Sequence, residues 1–247
     1  MLYYMTKVAL VFYGITRSLR FCNESIRDKL LNPLQKEGLS YDIFLHTYTL
    51  ERYSNKRTGE KRNNVDNDEY KLLQANYIQV DSQEKIKQKL NMKQYRTHKD
   101  PWNTEYNSVD NMILGLYSKK QSVIMVEKSG NNYKYVIFIR PDCLYLHELK
   151  LEFLREANKD TVVIPDFHLF GKYKMNDRFA ITTMNTYKHY GCIFDHLLEI
   201  SKKMSLHSET VLGLVLNLKN IEVKRVPFRF RRIRIDGTTC HSDKCIA

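Results

Sequence analysis

Lys7–Tyr13, KVALVFY, is a continuous apolar run of strand length that ends at Gly14. A run without alternation suits a parallel strand covered on both faces. Leu19, Cys22, Ile26, Leu30 and Leu34 then recur at helical spacing, and Gly38 follows as a stop. Tyr41–His46, YDIFLH, supplies a second short strand, so the chain begins as a βαβ unit. From Thr49 to Asn107 the pattern dissolves: ERYSNKRTGEKRNNVDNDEY is polar and poor in aliphatics, and reads as an excursion or mobile loop. A short strand over Tyr77–Val80 and a weak helix over Gln83–Leu90 fall in its remainder. Val109, Met112, Ile113, Leu116 and Tyr117 restore a helical stripe.

Tyr135–Tyr145, YVIFIRPDCLY, reads as one buried strand and Thr161–Ile164 as another. Tyr187, Tyr190, Phe194, Leu197 and Leu198 mark a helix, as do Val211, Leu214, Val215 and Leu218. Ile221–Val226 and Phe228–Ile235 close the chain as strands. The pattern predicts a single α/β domain over residues 1–247 with a polar insertion at about 49–107, and no internal repeat.

Composition narrows this only a little. The 247 residues are 43% hydrophobic, enough for a substantial interior, and no apolar run approaches the ~20 residues a membrane-spanning helix needs. The start, MLYYMTKVALVFYG, makes a poor signal peptide because its apolar run flows into the first strand. A soluble, cytoplasmic protein with reduced cysteines is the expectation, the five cysteines being odd in number and scattered. The tail Cys240-His241-Ser242-Asp243-Lys244-Cys245 matches no strong zinc spacing. The net charge of +12 calls for an anionic partner, for which nucleic acid, acidic membrane and a nucleotide diphosphate all qualify. The lysines are dispersed, and only Arg229–Arg234, RFRRIR, is dense.

Four further segments hold candidate chemistry. Arg140-Pro141-Asp142 leaves the strand YVIFI where α/β sheets bind ligands, so Asp142 either holds a cation bridging two phosphates or pairs locally with Arg140. Asn176-Asp177-Arg178 sits where a polar loop re-enters apolar sequence, and a turn with an Asp–Arg salt bridge would account for it equally. His207-Ser208-Glu209 opens a helix; Ser208 suits a cap, and Glu209 suits either the helix dipole or a general base. Tyr13-Gly14-Ile15-Thr16-Arg17 offers an anion site before the next helix, without a GxGxxG or P-loop signature. Trp102, the only tryptophan, reads as a packing residue ahead of a ring platform.

The blocks VALVFYGITRS, YDIFLHTY, LGLYSKK, YVIFIRPDCLY, VVIP, NDRFAI, HSE and IRIDG resemble, in this order, the small glycosyltransferases of large DNA viruses and their bacterial polysaccharide-synthesis relatives. The Lys-, Asn- and Tyr-rich composition is similar to that of proteins from AT-rich giant-virus genomes, which would make the location the host cytoplasm. The resemblance implies a GT-A-like Rossmann-type sandwich, with a mostly parallel central sheet flanked by helices. It implies a nucleotide-sugar donor, a glycan or glycoprotein acceptor, and a divalent cation, Mn²⁺ or Mg²⁺, held by Asp142. Carried over residue by residue, Tyr13, Gly14, Thr16, Arg17 and Arg140 fall on the donor side. Asn176, Asp177 and Arg178 border the sugar, and Asp177 and Glu209 are the catalytic pair. The chain departs from the family in offering one acid at Arg140-Pro141-Asp142 where the full metal motif has two. The alternative is a non-catalytic basic nucleic-acid-binding protein, argued from charge alone, since no nucleic-acid motif is present. A nucleotidyltransferase would need more acids around Asp142.

Overall fold

The computed structural model describes residues 7–247, so the first six residues of the start MLYYMTKVALVFYG, on which the signal-peptide reading turns, lie outside the described residues. The first half of the chain runs β1 (Lys7–Tyr13), α1 (Leu19–Ile26), a π turn (Arg27–Leu31), α2 (Asn32–Lys36) and β2 (Ser40–Thr49). The hairpin β3 (Arg52–Asn55) and β4 (Glu60–Asn63) follows, then β5 (Tyr77–Ser82), α3 (Gln83–Leu90) and α4 (Asn107–Lys128). The second half begins with β6 (Tyr135–Ile139), β7 (Cys143–Tyr145), α5 (Leu151–Glu156), β8 (Thr161–Pro165) and β9 (Phe179–Thr183). It ends with α6 (Tyr187–Gly191), α7 (Leu197–Ser201), α8 (Ser208–Leu218), β10 (Glu222–Val226) and β11 (Phe230–Arg232).

Seven strands form one sheet in the order β10-β8-β9-β6-β1-β2-β5. Only β9 runs against its neighbours; the other pairings are parallel. Leu10 at the centre of β1 pairs with Ile43 on one side and Ile137 on the other, and Val8–Phe12 are wholly buried. Alternate residues explain the two layers. Ala9, Val11, Phe44, Val136 and Phe138 meet α4, α6 and α8, whereas Val8, Leu10, Ile43, Leu45 and Ile137 meet α1, α2 and α5. The chain is thus a mixed α/β sandwich of Rossmann-like layout, as the pattern predicts.

The helix expected from Leu19 to Leu34 is broken by its π turn. Steps of four residues from Cys22 through Leu34 outpace a 3.6-residue turn, and one π turn absorbs the excess. Pro33 has no amide to give the Lys29 carbonyl, which instead accepts from the Leu149 amide at 2.8 Å.

Two expectations need correction. Of Tyr135–Tyr145, only the apolar run Tyr135–Ile139 is a strand of the sheet, as YVIFI predicts: the sheet ends at Ile139, opposite Phe12, and β7 leaves it to pair with β11 in a separate antiparallel ribbon. Pro141 cannot donate to a ladder, so the sequence forces a turn where the carboxylate of Asp142 emerges. The closing strand expected over Phe228–Ile235 contracts to the three residues of β11 for the same pairing. Within the polar stretch 49–107, β5 joins the main sheet and α3 is present as expected, while β3 and β4 fold as their own hairpin. No helix among the described residues is long and apolar enough to cross a membrane.

Candidate active site

The turn at residues 140–142 opens into a cleft of about 850 Å³ beyond the carboxyl ends of β1 and β6. Tyr13, Gly14, Arg17, Arg140, Asp142, Asp177, Arg178 and Glu209 all line it, so most of the expected site residues, drawn from four distant segments, share one cavity. This is the position at which open α/β sheets hold ligands. The β3–β4 hairpin walls one side with Tyr53 and Arg57, and α4 walls another.

Asp142 is 2% exposed and fully engaged. Arg140 donates to both of its oxygens, Nε to Oδ1 at 2.8 Å and Nη2 to Oδ2 at 2.6 Å, and Arg17 reaches Oδ2 at 3.3 Å. Burial alone would raise the Asp142 pKa, but the charges of Arg140 and then Arg17 outweigh it and hold the group well below the usual carboxylate range. Arg17 is stacked on the Tyr53 ring and lies 3.8 Å from Glu60, which tethers the hairpin to the site. A hard divalent ion needs free carboxylate oxygens, and usually one or two carboxylates beside phosphate. Here Asp142 offers none without displacing two guanidinium groups. Among the described residues no cluster of three or more His, Cys, Asp or Glu side chains stands ready to hold a metal. The residues do not fit the cation implied for Asp142.

Asp177 and Glu209 form a different kind of site. Asp177 precedes β9 and accepts a hydrogen bond from the Ser208 hydroxyl, so Ser208 serves Asp177 and is not a helix cap. Glu209, in the first turn of α8, lies 3.6 Å from Arg178 and 3.6 Å from His207. Burial raises the pKa of Asp177, but Arg178, Arg140 and the Ser208 hydroxyl more than offset it and keep the group ionised. Glu209 moves the other way: burial first, then the Asp177 charge, pushes its carboxyl above the usual range against the opposing Arg178. Two neighbouring carboxylates with environments that separate their pKa values are the pattern of divided acid–base roles. The start of α8 is pressed closely: Gly171, at φ +71, leaves no room for a Cβ beside Thr210, and Gly213 leaves none beside Tyr173.

Two cations in the cleft have donor capacity left over. Arg178 is 5% exposed, yet its Nε and Nη1 have no hydrogen-bond partner. Lys119 of α4 is 1% exposed, with Nζ over the rings of Tyr13 at 4.7 Å and Tyr190 at 4.2 Å, and forms no ion pair among the described residues. Burial brings its pKa down to about 7, in spite of Asp177. Lys119 falls within LGLYSKK without standing out as a site residue, although the pattern displays it: Met112, Leu116, Lys119, Val123 and Val126 continue one apolar stripe, where a lysine needs a reason. Arg57, over Trp102, has its pKa lowered by burial and then by Arg232. Trp102 stacks on His207 at 5.2 Å and packs on the core while lining the cleft, so it does more than the expected packing.

Some expected site residues play other parts. Thr16 is buried outside the cleft, its carbonyl accepting from the Leu19 amide at 3.0 Å as α1 begins. Asn176 is buried and holds its loop, donating to the Phe167 carbonyl at 2.9 Å and accepting from the Arg178 amide at 3.0 Å. The Gly14 amide is spent on Ser118 Oγ at 2.8 Å, within a network that includes His46 and Asp81, so it is not a free anion donor. The basic strand divides by residue: Arg232 and Arg234 line the cleft, paired with Asp243 and Glu60, while Arg229 pairs with Asp166 and Arg231 holds the Ile246 carbonyl. Cys240 is buried, Cys245 exposed, and all five cysteines are free. No family model matches the chain, and no curated protein matches it.

Proposed function

We propose that the protein is a GT-A-like glycosyltransferase that moves a sugar from a nucleoside-diphosphate donor to a hydroxyl of a glycan or glycoprotein acceptor. The observation that carries this reading is the cleft beyond β1 and β6, in which Asp177, held by Ser208, and Glu209, its pKa raised by burial, stand beside Arg178 with two unbonded donors and Lys119 with no ion pair among the described residues. In the transfer, Glu209 takes the proton of the acceptor hydroxyl as its oxygen bonds to the anomeric carbon. The bond from that carbon to the phosphate oxygen breaks, and its electron pair leaves with the nucleoside diphosphate. Attack from the Glu209 side on the face opposite the diphosphate inverts the anomeric centre. Asp177 stays ionised, fixed by Ser208, and bears on the developing positive charge of the sugar. Trp102 and Tyr53 supply ring surfaces in the cleft that suit a base or a sugar. A polyanion surface would present its arginines outward, whereas Arg17 and Arg178 are 8% and 5% exposed within a concavity.

A thermal-shift panel of nucleoside-diphosphate sugars tests the reading: one UDP-, GDP- or related sugar is expected to raise the melting temperature. No shift with any of them, alongside tight salt-sensitive DNA binding, would sink it.

The pH profile of kcat/KM carries a second expectation. The base must be deprotonated, and its pKa is raised, so activity is lost as pH falls through a limb displaced above the ~4.3 of an ordinary glutamate. Asp177→Asn removes one cause of that rise and should move the limb to lower pH. A limb that stays in place in this variant would remove the coupling from the account.

A further inference from the structure

We infer that the cleft takes the diphosphate of its donor without a divalent cation, on Lys119, Arg178 and the free edge of Arg140. The inference rests on the nucleotide-sugar reading above and departs from the cation that the sequence resemblance implies. Its first support is Asp142, whose two oxygens are already held by Arg140 and Arg17 at 2.6–3.3 Å. A metal ion binding there would take the carboxylate from Arg140 and from buried Arg17, leaving Arg17 only Glu60 at 3.8 Å, and place a further double positive charge beside them. The other carboxylates of the cleft are also engaged, Asp177 by Ser208 and Glu209 by Arg178 and His207.

The second support is the set of donors left over. Buried Arg178 has Nε and Nη1 without a hydrogen-bond partner while its Nη2 faces Glu209 at 3.6 Å, so each edge of the guanidinium keeps one donor for a phosphate oxygen. Arg140 spends Nε and Nη2 on Asp142, and its side chain remains 30% exposed, so Nη1 is available to the cleft. Lys119 holds its Nζ between two aromatic rings at the cleft wall, with no carboxylate paired to it among the described residues. Burial lowers its affinity for a proton, as expected of a cation awaiting its counter-charge. When the anomeric bond breaks, the electron pair stays on the departing diphosphate, and these three side chains meet the charge that a metal would otherwise meet.

The test is titration calorimetry with UDP, GDP, ADP, CDP and dTDP and the matching monophosphates, in excess EDTA and in Mn²⁺. At least one diphosphate is expected to bind equally well in both conditions. Lys119→Met, which keeps the length and buried stem of the side chain, should weaken that diphosphate by about 10- to 100-fold and the monophosphate much less. Arg178→Gln should do the same, and a melting curve of each variant reports that it is folded. Binding that appears only with Mn²⁺ would overturn the inference while leaving the transferase reading in place. A folded Lys119→Met with unchanged diphosphate affinity would remove Lys119 from it. If no nucleoside diphosphate binds in either condition, the nucleotide-sugar reading fails and this inference falls with it.

Discussion

Glu209→Gln is expected to lower kcat by about 10²- to 10⁴-fold, the range of a lost general base, while donor affinity and fold are retained. The two effects have one cause. Glu209 is 6% exposed, and burial together with the Asp177 charge disfavours its ionised form. A carboxyl whose folded pKa is raised contributes stability that is complete below the unfolded pKa and is lost as pH rises through the folded one. At the upper end of that window an ionised Glu209 opposes folding, and a neutral amide of the same shape does not. The variant should therefore melt at the same temperature as the parent or higher, and lose turnover. Such an exchange of activity for stability marks a group kept for chemistry. A residue serving only the α8 first turn would lose stability and keep turnover, and unchanged turnover would take the proton-accepting role from Glu209.

The same contrast explains what was legible in the sequence. Continuous apolar runs such as KVALVFY and YVIFI report burial on both faces, and they mark β1 and β6 within the sheet correctly. From there the position of the cleft follows, because α/β sheets bind beyond the carboxyl ends of their strands. The polar triplets at 140–142, 176–178 and 207–209 are visible as breaks in apolar pattern, and they do meet around the cleft. Their division of labour is not visible. RPD offers the local Arg140–Asp142 pair, which the structure contains, and a cation ligand alike; what decides between them, Arg17 arriving from another segment, lies outside the triplet. Asn176 reads as a site residue because loop polarity resembles ligand polarity, yet its amide closes the loop. The β3–β4 hairpin lacks apolar periodicity, so Tyr53 and Arg57 could not be placed in the cleft from pattern alone. Lys119 is the opposite case: the stripe on α4 displays it, and the habit of treating lysine as solvated hides it.

Asp142→Asn is expected to be the more damaging change to the fold, although the sequence first presents Asp142 as a ligand residue. The carboxylate is 2% exposed and accepts from two arginines that are themselves buried or partly so. An amide keeps the volume but turns half of an acceptor group into a donor facing guanidinium hydrogens, and leaves the positive charges uncompensated. Breaking a buried pair in this way costs about 3–5 kcal/mol. At roughly 2–4 °C per kcal/mol for a chain of this size, the melting temperature should fall by about 6–20 °C. The pH dependence has a definite sign. The folded pKa of Asp142 is depressed, so its stabilisation is present above the unfolded value of about 3.9 and is lost as pH falls toward the folded one. The variant should therefore lack the acid-side decline that this group contributes to the parent, which urea unfolding at stepped pH would measure. A free metal ligand behaves otherwise: its neutral replacement relieves unpaired negative charge and leaves stability level or higher. A melting temperature within about 2 °C of the parent, with donor binding lost only in Mn²⁺, would return Asp142 to the metal. The arginine geometry predicts the opposite, because an acceptor already filled by two guanidinium groups acts as the post on which the phosphate-binding side of the cleft is mounted.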